Sequence, residues 1–383
     1  MDSPFVFSRE VINESFVGRK DELSWLASNL SNKENTVLIA PEGYGKKSLV
    51  RSALIQAARQ TELKWCACNL FNVRDSYSFY TLLARELFSA ACATGDEWIA
   101  LAEQLLPLAR PHIEINERKQ NAPLQIIFDR QRLPEFADEI LQLPEKIATL
   151  QNTAFIVWIN DFQEIARFDD TAAFQKRLIA QWKPQRNVGY LLCGSKINAM
   201  RNLFAEKQAF HKFGEQIPLE PIDEKALVDY IVKSFSKSGR VISKDYAEML
   251  CRTARCYPFY VQQFAHLCWL NTKGFVIDSM IDGATEDLLN YNDHLFRLLA
   301  DDLSDSQINY LHAVIDGVDR FSSAEVIATY QLHSSANITR VRGALEKKEI
   351  ITFNRNKPCF INPVFEYWLR KRYFENGEWR AEN

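Results

Sequence analysis

None of the eight cysteines forms a Cys-x-x-Cys pair. Cys66, Cys68, Cys92, Cys193, Cys251, Cys256, Cys268 and Cys359 lie mostly in apolar runs, the pattern of buried reduced thiols and not of a zinc site or a disulfide framework. The six histidines make no ligand-spaced pair, which argues against a metal site. No apolar run approaches the roughly 18 residues that cross a bilayer. The start, MDSPFVFSREV, lacks the apolar stretch of a secretory signal. Charge of one sign is also lacking: the formal net charge of −3 argues against a strongly basic binder of nucleic acid or membrane. Internal repeats and low-complexity segments are absent. The expectation is a cytoplasmic protein without membrane contact.

What is present is an ordinary globular composition, 47% hydrophobic and 25% charged, over 383 residues, enough for two or three domains. The first half alternates apolar β-rich runs with helical stretches. TVLIA (36–40), LKWCACNLF (63–71), FIVWIN (155–160) and GYLLCG (189–194) read as strands, with helices over 48–59 and 78–92. Continuous apolar strands between helices predict a parallel sheet covered on both faces. A proline-bearing insertion over 93–150 separates the second strand from the third; its middle, ERKQNAP, is expected to be a loop. After Pro221 the pattern turns helical, and 219–285 reads as a small helical domain. From about 302 the sequence predicts three helices and then two strands joined at NRNK, the order of a winged helix.

Residues 37–50, VLIAPEGYGKKSLV, place a Gly-containing turn between a strand and a helix. That is the context of a phosphate-binding loop, whose signature is Gly-x-x-x-x-Gly-Lys-[Ser/Thr]. Gly43, Gly45 and Lys46 are in place, but Ala40 stands for the first glycine and Lys47 for the Ser/Thr that ligates Mg²⁺. Lys47 has no acceptor atom, and Ser48 is rotated about 100° from the position of its neighbour on a helix. Read alone, the stretch leaves two alternatives open: a nucleotide-binding loop, or a strand–turn–helix kept only for folding.

Several stretches together resemble the archaeal-type P-loop ATPases and their bacterial relatives, within the AAA+-like signal-transduction branch. They are PFVFS at the start, FVGRKDEL (16–23), APEGYGKKSL, WINDFQEI (158–165), CGSKINAMRNLF (193–204), YPFYVQQ (257–263) and NPVFEYWLRKRYF (362–374). The resemblance covers nearly the whole chain. It implies an α/β fold with a P-loop NTPase parallel sheet and helices on both faces, at 1–218, then an α-helical lid at 219–285 and a C-terminal winged-helix domain at 290–383. It implies ATP or ADP as ligand, with Gly43, Gly45, Lys46, Lys47 and Ser48 around the phosphates and Gly18 and Arg19 near the adenine or ribose. It places Ser195 in a sensor-like position and Pro258 in the Gly-x-Pro lid motif, whose glycine is here Cys256. In the family's Walker B stretch an apolar strand ends in Asp-Glu; here it ends in Asn160-Asp161, so Asp161 is the one candidate catalytic residue and its carboxylate is a methylene short. Mg²⁺ binding is therefore in doubt, and the expectation is a nucleotide-binding protein with little hydrolysis.

Blander readings stand beside these. Asn160 and Asp161 also suit a polar strand end, Ser195 a turn, and Pro258 the first residue of a helix. A slow but genuine ATPase is one rival. The other is a winged-helix adaptor for DNA or protein, in which Asn337, Thr339, Arg340 and Arg342 face a groove and Arg355 and Lys357 sit at the wing tip. Against DNA, acidic and basic residues balance from 290 onward. A protein partner is expected, of unstated identity.

Overall fold

The computed structural model describes residues 2–12, 16–114 and 124–375; the stretch ERKQNAP lies outside them. The chain forms two compact units.

The first unit comprises Lys20–Pro41 and Leu49–Leu219. Its strands are β1 (Thr36–Ile39), β2 (Leu63–Asn69), β5 (Ala154–Asn160), β6 (Val188–Gly194) and β7 (Glu215–Pro218), all parallel, in the order β2-β5-β6-β1-β7. The short antiparallel pair β3 (His112–Glu114) and β4 (Gln125–Ile127) lies in the expected insertion, beside the helices Gly95–Leu105, Leu133–Leu141 and Leu143–Leu150. Every residue of β6 and all but the first of β5 are buried, which explains why these strands read as apolar runs without alternation. Phe155, Val157, Ile159, Val188, Tyr190 and Leu192 share one core with Leu83, Leu87, Phe136 and Ile140. The residues between them, Ile156, Trp158, Leu191 and Cys193, are buried on the other face, as are Leu26 and Leu30 of Lys20–Ser31 and Val50, Ala53 and Leu54 of Lys46–Ala58. Both faces of the sheet are thus covered, as expected. Strand β7 was not expected: its segment EQIP carries one buried apolar residue, Ile217, at an edge.

The second unit gathers the described residues up to Arg19, the segment Glu42–Ser48 and those from Glu220 onward. Three helices, Glu224–Lys237, Lys244–Thr253 and Pro258–Asn271, occupy the region expected to be helical. A 24-residue helix, Asp278–Asp301, follows and runs through the sequence position expected to separate the last two domains. Then come helices Asp305–Ile315, Ala324–Thr329 and Ser335–Lys347 and the antiparallel pair β8 (Ile351–Asn354) and β9 (Lys357–Phe360). Arg355 and Asn356, both with positive φ (47° and 68°), make the tight hairpin turn that was expected at NRNK. All eight cysteines are free thiols. Burial pushes the Cys251 thiol up to about 12 and the Cys268 thiol to about 11. No helix among the described residues is long and apolar enough to cross a membrane.

Leu192 sits fully buried at the middle of the sheet, between β5 and β1. Leu192→Ala is expected to cost about 2–5 kcal/mol, read as a lower urea midpoint with an unchanged slope.

Candidate functional site

The phosphate-loop segment takes its shape from two left-handed glycines, Gly43 (φ 79°) and Gly45 (φ 82°), between the end of β1 and the helix Lys46–Ala58. A residue with a Cβ resists this conformation, so glycine is favoured at both places. The first-turn amides of that helix have no partners within it, and its dipole favours an anion there. Lys47 is exposed. Ser48 is buried, and its hydroxyl accepts the Val11 amide at 3.1 Å.

The same unit packs the loop against the turn that opens Pro258–Asn271. The Phe259 amide donates to the Gly43 carbonyl at 3.2 Å, and the Tyr257 hydroxyl donates to the Glu42 carbonyl. A Cβ added to Gly43 would lie 2.8 Å from the Phe259 Cβ, whereas nothing lies within 4 Å of one added to Gly45. The rings of Tyr44 and Tyr257 meet edge to face at 4.7 Å. Arg19 donates from Nη2 to the Tyr44 carbonyl at 3.1 Å, with its guanidinium 5.7 Å from that ring's centre. Burial raises the Tyr44 phenol above its usual range against the opposing pull of Arg19, and burial raises Tyr257 further. Gly18 is left-handed as well (φ 67°) and abuts Ile222. Gly18, Arg19, Gly43, Gly45, Lys46, Lys47, Ser48 and Pro258 are thus members of one unit, and Pro258 opens the helix whose next amide reaches the loop. Cys256 has φ 53°, so the turn before Pro258–Asn271 keeps the backbone form of a glycine without the glycine.

Asn160, Asp161 and Ser195 belong to the other unit. Asn160 closes β5, buried, with its carbonyl accepting the Leu70 amide at 3.0 Å. Asp161 is left-handed (φ 54°, ψ 41°), a conformation Asp tolerates better than most residues. Its Oδ1 accepts the Ser195 hydroxyl at 2.8 Å and Gln163 Nε2 at 3.2 Å, while Gln163 Oε1 accepts the Ser195 amide at 3.3 Å. The ends of β5 and β6 are therefore joined by a closed polar triangle. Gly194 makes room beside it: a Cβ there would collide with Met200 Cγ and would meet Gln163 Oε1 at 2.8 Å.

Sequence reasoning missed Gln163 as the hub of this triangle, and it missed Glu164. The Glu164 side chain is 5% exposed and holds Lys196 at 2.6 Å, Arg167 at 2.8 Å and Arg74 at 3.8 Å. A buried carboxylate needs such partners. Only Arg167, three residues on, was a local signal; Arg74 and Lys196 come together with it through the fold.

The residues expected to face a DNA groove or a wing tip are held by their own neighbours. Arg342 stacks 3.5 Å from the centre of the Phe353 ring, Lys357 pairs with Asp319 at 2.7 Å, Arg340 donates to Asn337 at 2.9 Å and Thr339 to the Ser335 carbonyl at 3.1 Å. Arg355 lies in the β8–β9 turn.

The loop packing makes a graded prediction. Gly45→Ala meets only the left-handed strain, about 1–2 kcal/mol. Gly43→Ala adds the collision with Phe259, and is expected to lower the thermal midpoint clearly further than Gly45→Ala. Equal shifts would deny that Phe259 bears on the loop.

No curated protein matches the chain. Among solved structures, a Walker-type ATPase of Pyrococcus abyssi superposes with a TM-score of 0.67 at 14% identity, over 96% of this chain and 99% of that one. The ORC2 protein of Aeropyrum pernix, solved in ADPNP–ADP complexes, superposes with a TM-score of 0.55 at 12% identity, over 94% and 95% of the two chains. At these identities the likeness is one of fold, the P-loop NTPase fold already seen in the parallel sheet. A family model, Novel STAND NTPase 1, matches residues 7–263, which span the N-terminal segment, the phosphate loop, the parallel strands and the start of the helix Pro258–Asn271. The chain belongs to the Novel STAND NTPase 1 family (nSTAND1), a family of P-loop ATPase fold.

Proposed function

We propose that this protein binds ATP or ADP as a structural or switching ligand and hydrolyses it slowly or not at all. The observation that carries the reading is the absence of a metal-ligand oxygen where the loop requires one: Lys47 holds that position, and the neighbouring Ser48 hydroxyl is buried under the Val11 amide. Mg²⁺ demands near-octahedral oxygen ligands, so the side chains of this loop do not fit it. Among the described residues no group of three His, Cys, Asp or Glu stands close enough to hold a metal. Asn160 brings no charge, and the Asp161 carboxylate is engaged by Ser195 and Gln163.

The groups that bind phosphate through protein alone remain. They are the left-handed glycine loop, the helix N-terminus and Lys46, with Lys47 adding a second positive charge. The ORC2 protein of like fold carries adenine nucleotides, which supports the same ligand class here. In this reading 219–285 serves as a lid and 290–383 as a winged helix. A phosphate in the loop would be felt by the lid through the Gly43 carbonyl and Phe259.

Calorimetric titration of ATP and ADP, with Mg²⁺ and with EDTA, tests this. Binding is expected to survive EDTA. It should fall about tenfold to a hundredfold in Lys46→Ala, the range for a lost charge-assisted hydrogen bond. A strict Mg²⁺ requirement, or no heat under any condition, would defeat the proposal. Single-turnover hydrolysis separates the slow ATPase: turnover that disappears in Asp161→Ala would make the protein an enzyme.

A further inference from the structure

The helix Asp278–Asp301 carries an apolar seam that is covered over half its length and bare over the rest. Ile281, Ala284, Leu288, Tyr291, Leu295 and Leu298 follow one another at alternating steps of three and four, the spacing of a coiled-coil a/d seam. Ile281, Ala284 and Leu288 are buried in the core shared with Val261, Phe264 and Cys268 of Pro258–Asn271. Cross-helix hydrogen bonds from Asn271 to Asp287 and from Asn292 to Gln263 show the two helices running antiparallel there. Tyr291, Leu295 and Leu298 then continue the seam at 66, 53 and 55% exposure, with Leu299 flanking them at 36%. Large apolar side chains in successive turns of one face are not the ordinary scatter of surface leucines.

The row beside the seam states what fits. Asp287, His294 and Asp301 recur every seven residues and are exposed. Among the described residues no Lys or Arg pairs with either aspartate. The two carboxylates are 14 residues apart, about 21 Å along the axis, one beyond each end of the bare stretch. A second copy of this chain is a poor occupant. Antiparallel pairing sets these rows against each other and brings aspartate to aspartate, and parallel pairing sets Asp287 against Asn292, with no counter-charge in either case.

We propose that the Tyr291–Leu298 seam is a docking site for an amphipathic helix of a partner protein, with apolar residues at three-four spacing and Lys or Arg flanking them opposite Asp287 and Asp301. This site stands apart from the nucleotide reading, and its test uses no nucleotide.

The probe is a labelled synthetic peptide of about three heptads, with Leu at both seam positions and Lys flanking them, compared with the same peptide carrying Glu in place of Lys. Fluorescence anisotropy on the full chain is expected to show saturable binding of the Lys peptide, about tenfold or more tighter than the Glu peptide. Leu295→Glu with Leu298→Glu should abolish it while leaving the thermal midpoint unchanged, since both side chains are exposed. Asp287→Lys with Asp301→Lys should turn the preference toward the Glu peptide. Equal affinity for the two peptides, no binding, or binding that survives the double Glu variant would overturn the proposal. So would a dimer of the wild type, seen in sedimentation, that the double Glu variant dissolves, because the occupant would then be a second copy.

Discussion

The hydrogen bond from the Phe259 amide to the Gly43 carbonyl is the contact on which the phosphate-loop unit depends. A helix leaves its first amides unsatisfied, and Pro258, at the first helical position of its own helix, has none to offer. Phe259 is the next residue, and its orphan donor is met by a carbonyl of the loop. Gly43 can present that carbonyl because it is left-handed and bears no side chain where the Phe259 Cβ sits. The edge-on rings of Tyr44 and Tyr257 and the Arg19 contact to the Tyr44 carbonyl fix the loop from its other sides. Loop and helix start therefore satisfy each other, and neither has its present form alone.

The other unit is organised at its strand ends by polar groups that leave little spare capacity. The Asp161 carboxylate, the Gln163 amide and the Ser195 hydroxyl and amide close on one another across two parallel strands. One residue beyond Gln163, Glu164 gathers three cations around a carboxylate almost sealed from water. The first network holds the one candidate catalytic carboxylate in a fixed rotamer. The second keeps the turn after β5 closed, because a buried carboxylate stripped of its partners is costly.

The β5 and β6 strands were legible because burial on both faces writes itself as an unbroken apolar run. The loop, with Gly43, Gly45 and Lys46, was legible because left-handed turns leave glycine in the sequence. Strand β7 was not, since an edge strand half in water has no such run and EQIP ends in proline. The helix Asp278–Asp301 was divided in the reading because its buried face changes partner along its length: Leu288 lies in the core shared with Val261 and Phe264, while Phe296 packs against Phe365 and Trp368. The Glu164 cluster was illegible for another reason. Arg74 and Arg167 are 93 residues apart, and no periodicity announces that two such side chains end on the same carboxylate.

The way the chain is divided between its units bears on the order in which they become complete during synthesis. The sheet-bearing unit needs nothing beyond Leu219, whereas the other draws on three separated stretches: the described residues up to Arg19, Glu42–Ser48, and those from Glu220 onward. The phosphate loop therefore leaves the ribosome early and waits for Tyr257 and Phe259, more than two hundred residues later, before its final contacts exist. Domains generally fold as units and N-terminal first as they are made. The residues that close the strand ends, Asp161, Gln163 and Ser195, all precede Leu219, whereas the partner turn of the glycine loop is made only after it.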